Sequence, residues 1–262
     1  MKERVLGYSN KGKVKPNNED CFVIDNETYL GDNEVSKNKA NLCVVLDGIG
    51  GENFGELASK FGAEFVAENF KEFLVHDKNS ISELLNKCSN YIIQNLSNLK
   101  ESRFSGTTIA GFMFNKDDKD VVTIFNVGDS RVYYVGQKYI EQISYDDSMV
   151  NYLIKMGLIS KADKDKVPVN KNIIFNALGN SHFKVQESHV FSFNMKMSQK
   201  KIDYIFCCTD GVTDNISDKE LFRLFTHRHP KSLSEIKDRI VNAVEKEGSS
   251  DNYSFVIFDL NK

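Results

Sequence analysis

Long apolar runs are missing from this sequence. None approaches the length that spans a bilayer, and the first residues, MKERVLGYSNKG, lack the apolar stretch of a signal peptide. A cytoplasmic protein without a membrane partner is therefore expected. Charge of one sign is also missing: Lys and Arg total 34 against 37 Asp and Glu, a formal net charge of −3 with both signs dispersed. That balance offers no basic footprint for nucleic acid. The five cysteines are odd in number and form no Cys-x-x-Cys pair, which argues against a disulfide framework and a zinc site. Cys43, Cys207 and Cys208 stand inside apolar runs, where cysteine packs as a small hydrophobe. Repeats, low-complexity tracts and linkers are absent as well, so residues 1–262 are expected to form a single domain.

What is present alternates between two periodicities. RVLGYS, CFVID and NLCVVLD read as strands, with a polar loop from Asn26 to Ala40 before the third. A helical period follows. Leu57, Phe61, Phe65, Phe70, Phe73 and Leu74 share one face of a first helix. Ile81, Leu84, Leu85, Cys88, Ile92, Leu96 and Leu99 share that of a second, capped by Ser80. From Gly106 short strands resume in GTTIAGFMF, DVVTIFNVG, RVYYVG and KYIEQIS. A helix from Ser148 to Met156 leads into SKADKDKVPVNK, expected as a mobile surface segment. NIIFNALG, VQESHVFSF and KIDYIFCCTD read as strands, followed by two helices between Ser217 and Glu247 and a last strand, YSFVIFDL. Paired helices between runs of antiparallel strands predict an α+β layered domain.

One device recurs along the chain. In VVLDGIGGENFGELAS an apolar strand ends at Asp47, with glycines at 48, 50 and 51 behind it. Asp210 ends YIFCCTD, Asp129 follows TIFNVG, Asp20 precedes CFVI and Asp251 precedes NYSFVIF. A single Asp-Gly is most simply a turn. Aspartates at the ends of so many strands are another matter, because strands of one sheet bring their ends to a common edge. Carboxylates gathered there repel one another unless cations neutralise them, and oxygen-only ligands select hard ions such as Mg²⁺ or Mn²⁺.

The motifs NNEDCFVI, VVLDGIGG, SGTT, VGDSRVYYV, NALG, CCTDGVTD and SDNYSFVI occur in the order found in metal-dependent type 2C protein Ser/Thr phosphatases, the PPM family. The resemblance extends from about Gly7 to Phe258 and is strongest to compact bacterial members. It implies a four-layer α/β/β/α sandwich, two antiparallel sheets face to face with paired helices outside, and a two-metal site at one edge. By motif, Asp47 bridges both metals and the Gly48 carbonyl binds one of them. Asp210 and Asp251 complete the first metal, Asp20 belongs to the same shell, and Glu19 holds metal-bound water. Asp129 joins Asp210 at a third, weaker ion. The implied cofactors are two Mn²⁺ or Mg²⁺ ions per chain. The implied reaction is direct attack of a metal-bridging hydroxide on phosphoserine or phosphothreonine in proteins. Consistent with this, no cysteine has an arginine six residues later, as a Cys-based phosphatase loop requires. A cognate Ser/Thr kinase or its targets are the implied partners, and a monomer is expected.

The chain departs from the family pattern at a few positions. Lys15 stands where the family has an arginine contacting phosphate; a lysine supplies charge without the two-pronged donor. Ile49 replaces a histidine of many eukaryotic members, and Asp147 in SYDDS replaces a common histidine. Ser144 to Asn172 falls where the family places its flap beside the active site. The alternative reading is a pseudophosphatase serving as a phosphoprotein-binding regulatory module. The intact set of acids argues against it. His227 and His229 are expected as helix C-terminal residues, not metal ligands.

Overall fold

The computed structural model describes residues 3–50, 54–74, 78–97, 99, 105–160, 163, 173–180, 183, 185–186, 189–198 and 200–261. Gly51 and most of SKADKDKVPVNK, with its expected mobility, lie outside them.

The strands are β1 (Val5–Asn10), β2 (Asp20–Ile24), β3 (Glu27–Leu30), β4 (Asn33–Lys37), β5 (Leu42–Ile49), β6 (Gly106–Thr107), β7 (Ile109–Phe114), β8 (Val121–Val127), β9 (Arg131–Val135), β10 (Ile140–Gln142), β11 (Val190–Asn194), β12 (Tyr204–Cys208) and β13 (Tyr253–Asp259). The helices are α1 (Phe54–Glu68), α2 (Phe70–Phe73), α3 (Lys78–Leu96), α4 (Met149–Lys155), α5 (Asp210–Thr213), α6 (Asp218–Thr226) and α7 (Leu233–Glu247). One antiparallel sheet runs β10-β9-β12-β13-β1-β4 and the other β11-β8-β7-β5-β2-β3, with β6 paired to β5.

The apolar runs of the central strands follow from burial on both faces. Along β5, Leu42, Val44 and Leu46 pack under α1 and α3, whereas Cys43 and Val45 enter the layer between the sheets. Along β13, Val256 and Phe258 join that middle layer while Phe255 and Ile257 meet α6 and α7. A period of two with both faces covered leaves no polar alternation to read. The result is the expected α+β sandwich of four layers. The cysteines at 207 and 208 divide between the middle and outer cores, and all five cysteines are buried and free. Among the described residues no helix is long and apolar enough to cross a membrane.

Local details differ from the sequence reading. The expected loop at 26–40 is largely two edge strands in different sheets: β3 pairs β2 at the edge of one, and β4 pairs β1 at the edge of the other. Edge strands carry exposed side chains, which is why they read as polar. The first helix breaks at Asn69, whose side chain donates to the Phe65 carbonyl at 2.8 Å, and restarts as α2. Ser80 lies inside α3, not at its cap. NIIFNALG forms only isolated bridges at Ile174 and Leu178. Ser148, Ser217 and Ser232 do cap α4, α6 and α7, each accepting a backbone amide. His227 caps the C-terminus of α6.

Candidate metal centre

The acids meet where strand ends converge. Asp20 opens β2, and the antiparallel register sets it directly opposite Asp47 on β5. Directly paired residues put their side chains on the same face. In the other sheet, β12 gives way at Thr209 to the single turn α5, which begins with Asp210. Asp251 leads into β13, and Asp129 follows a turn in which Gly128 adopts a φ of 97°, a conformation natural to glycine.

Proximity shows in the acidity of these groups. Burial pushes the Asp20 carboxyl up to about 7, and the charges of Asp210 and Asp251 add to it against hydrogen bonds from Thr209 and Ser254. Asp210 is pushed up to about 6 by burial and by the charges of Asp214 and Asp251, while Asp47, within hydrogen-bond reach, pulls the other way. Asp47 is raised well above the ordinary range by burial, then by Asp20, Asp210, Asp129 and Asp251. Asp129 is likewise raised by burial and by Asp210 and Asp146. Burial also raises Glu19, with Lys15 opposing. The structure therefore brings Asp20, Asp47, Asp129, Asp210 and Asp251 into one electrostatic cluster, with Glu19 at its border.

Three oxygens of that cluster, Oδ1 of Asp20, Asp129 and Asp210, are buried without a hydrogen-bond partner among the described residues. Asp210 is partly exposed as a residue, yet this oxygen is covered. A buried carboxylate oxygen with no donor is costly unless a proton or cation satisfies it. The donor set is all oxygen, the choice of a hard divalent ion. Among the described residues no three His, Cys, Asp or Glu are grouped closely enough to enclose an ion unaided. Hard ions retain several waters, and the orphaned oxygens fit an ion held partly through water.

The surrounding groups fix the acids in place. Thr107 Oγ1 and the Thr108 amide both donate to the Asp47 carbonyl at 2.9 Å, and the Asp47 amide donates to Thr108 Oγ1 at 3.0 Å. Thr108 in turn shares a 2.7 Å hydrogen bond with Ser130, beside Asp129. Thr209 Oγ1 donates to Asp20 Oδ2 at 2.8 Å. Asn252 accepts from the Glu19 amide and donates to the carbonyls of Lys11 and Asn17, each at 2.9 Å, clamping the loop that carries Lys15. Arg131 binds Asp146 through Nε and Nη2, and that acid faces Asp129. These supports lie within the motifs, but their roles depend on contacts distant in sequence.

A Cβ on Gly48 would run into the Gly55 carbonyl and lie 2.8 Å from the Glu19 carbonyl. Protein backbone thus fills the space beside Gly48 and seats α1 against the β2 entry. Lys15 Nζ lies 2.9 Å from Asp251 Oδ1 and 3.8 Å from Glu19 Oε2, at the rim of the acids. Its pKa is raised: burial lowers it, but the Asp251 hydrogen bond and the charges of Asp251, Glu19 and Asp47 outweigh that.

The protein phosphatase 2C profile matches residues 29–248. Serine/threonine phosphatase stp of Listeria innocua is 26% identical over 259 residues, spanning 97% of this chain and 94% of that protein. The crystal structure of Stp1 from Staphylococcus aureus is similar with a TM-score of 0.78 and 25% identity, over 99% of this chain and 96% of that one. The catalytic domain of PstP in complex with two manganese ions has a TM-score of 0.76 at 21% identity, over 98% and 97% of the two chains. At that identity the likeness to PstP concerns the fold.

Proposed function

The chain belongs to the protein phosphatase 2C family, and from that premise we propose that its carboxylate edge hydrolyses phosphoserine and phosphothreonine in proteins. The observation that carries this reading is the set of orphaned, buried carboxylate oxygens on Asp20, Asp129 and Asp210 at one strand edge. In the proposal Asp47, the Gly48 carbonyl, Asp20, Asp210 and Asp251 hold two divalent ions, with Glu19 acting through water. Asp129 and Asp210 hold a third. Mn²⁺ and Mg²⁺ both suit the donors; the manganese in PstP favours the first. Bound ions would neutralise the clustered acids and make water a nucleophile near neutral pH.

The chain's own residues divide the remaining work. Lys15, on the loop clamped by Asn252, presents an ammonium at the rim, where it binds the phosphate monoanion or dianion as a point charge. Thr107, Thr108 and Thr209 hold the acids in position, which spares reorganisation when substrate arrives. In the proposal the described start of the 144–172 segment, residues 144–160, serves as the near part of a flap, anchored through Asp146 by Arg131. The proposal includes one catalytic domain across residues 1–262, a reading supported by the β1–β13 pairing that joins the two ends of the chain. It also includes a monomer in the cytoplasm, where five free buried cysteines stay reduced, opposing a Ser/Thr kinase on shared targets. The complete set of acids gives the binding-module alternative no support.

The test is phosphate release from a phosphothreonine peptide with and without Mn²⁺, comparing the native chain with Asp210→Asn. Metal-dependent release lost in the variant is expected. A folded, Mn²⁺-binding native protein that releases nothing would overturn the proposal.

A further inference from the structure

The strand ends opposite the acids carry charge of the other sign. β2 and β13 start at the acidic edge and β5 ends there, so their other ends share the far edge with the β7–β8 turn. A cavity of about 670 Å³ opens at that far edge, between the two sheets. Arg4, Lys39, Lys119, Lys196, Lys200 and Lys201 line it, against one carboxylate, Asp120, among the described lining residues. Its apolar lining is made by Phe114 of one sheet and Phe258 of the other, whose rings lie 4.7 Å apart, together with Met195 and Ile202. The volume is that of an ordinary ligand cavity.

The cations are unequally neutralised. Lys196 pairs with Asp120, Lys200 with Glu141 at 2.9 Å and Lys201 with Asp203 at 3.0 Å. Lys119 reaches the neutral Asn41 side chain, at 2.6 Å. Among the described residues neither Lys39 nor Lys119 has a carboxylate partner. In a chain of net charge −3, a cluster of this sign is a local inversion. The β4–β5 connection, which crosses between the sheets, supplies Lys39, and the β7–β8 turn within one sheet supplies Lys119, so cations from two separate connections overhang a shared apolar floor.

We propose that this groove docks an acidic segment of a protein substrate, with one aromatic or aliphatic side chain seated on the Phe114–Phe258 floor and acids on either side meeting Lys39 and Lys119. Charge complementarity selects the occupant: an acidic segment is repelled by the carboxylate rim at the other edge and attracted here. The inference rests on the phosphatase reading for its purpose but not for its binding. The eight-residue strand β5 separates the two edges, roughly 26 Å at the usual rise. A linker of about 20 residues spans the way around the sandwich, so one substrate can occupy both edges at once and gain effective concentration.

Two measurements on the full chain test it. Fluorescence anisotropy follows a labelled peptide alternating Asp and Glu around one Phe. The double variant Lys39→Glu, Lys119→Glu should weaken its binding about tenfold or more. Lys87→Glu, on the exposed face of α3, should not. Phosphate release is then compared for a short phosphothreonine peptide and for one carrying the acidic segment on a long linker. The double variant should raise KM for the tailed peptide alone and leave kcat unchanged. Equal binding of an Asn/Gln version, or native affinity in the double variant, overturns the docking site. So does Lys39-dependent binding to phosphatidylglycerol vesicles without binding to the peptide. If neither peptide releases phosphate, the phosphatase reading fails by itself, and the anisotropy still decides the groove.

Discussion

The Asp147 carboxylate lies 2.9 Å from His189 Nε2, with both side chains largely or fully buried. The same oxygen, Oδ2, accepts the Gly128 amide at 3.2 Å, and the Asp147 amide returns a 2.8 Å hydrogen bond to the Gly128 carbonyl. The histidine contact is close but its alignment falls short of a hydrogen bond. Asp147 thus joins the turn carrying Asp129 to His189, just before β11, and, through its carbonyl, to the Phe175 amide at 2.6 Å. A departure from the family pattern is structurally absorbed by a histidine far along the chain.

Asp147→Ala should therefore loosen this turn. It leaves the buried Gly128 amide without its side-chain acceptor, a loss of about 1–3 kcal/mol. Urea denaturation measures it, and a weaker third Mn²⁺ in calorimetric titration is the expected companion. An unchanged midpoint would show that the carboxylate holds nothing in place.

Thr209→Val tests the support beneath Asp20. The hydroxyl donates to Asp20 Oδ2 at 2.8 Å and accepts the Ser254 amide at 2.9 Å, joining one acid to the neighbouring strand β13. Valine preserves the shape and removes both bonds, so a loss of about 1–3 kcal/mol is expected from the groups left unpaired. Mn²⁺ affinity should fall with it, because Asp20 loses its fixed orientation. Calorimetry and denaturation of the same variant give both numbers.

Stability of the metal-free protein should fall as pH rises. An unfolded aspartate titrates near 3.8, whereas Asp210 and Asp20 titrate at about 6 and about 7 in the folded chain. Between these values the folded protein holds protons that the unfolded chain has released, so each step up in pH favours unfolding. The contribution is complete below the unfolded pKa and gone above the folded one. Divalent ions should reverse the trend at pH 8, by about 2.7 kcal/mol per site at a hundredfold excess over Kd. Thermal melts from pH 4 to 8, with EDTA or Mn²⁺, check both signs. Stability that climbs across the window without metal would contradict the acid cluster.

The legibility of this fold was uneven for physical reasons. Strands covered on both faces, such as β5 and β13, announce themselves as apolar runs, and α1 and α3 show their buried stripes. The edge strands β3 and β4 do not, since exposure leaves them polar. The acids at 20, 47, 129, 210 and 251 were visible because each abuts such a run. Thr108, Thr209 and Asn252 were not readable as supports, because a hydrogen bond spanning 61, 189 or 233 residues leaves no local pattern. The basic groove was hidden for the same reason: Lys39, Lys119 and Lys196 lie in separate connections, each unremarkable alone.

Asp47→Asn separates function from folding most directly. Asp47 sits opposite Asp20 in the register and feels Asp210, Asp129 and Asp251 as well. Asparagine keeps the shape and the backbone bonds to Thr107 and Thr108 while removing the charge at the centre of the repulsion. Without metal, the variant should be more stable than the native chain at pH 8 by about 0.5–2 kcal/mol. With Mn²⁺ the order should invert, because the native chain gains binding energy that the variant has lost. Phosphate release should disappear in the variant at every metal concentration. If Asp47 were instead a turn residue with no part in an ion site, the two proteins would respond to Mn²⁺ alike. Paired melts with and without the ion distinguish these outcomes even in the absence of a known substrate, since they read the charge of the cluster and not its turnover.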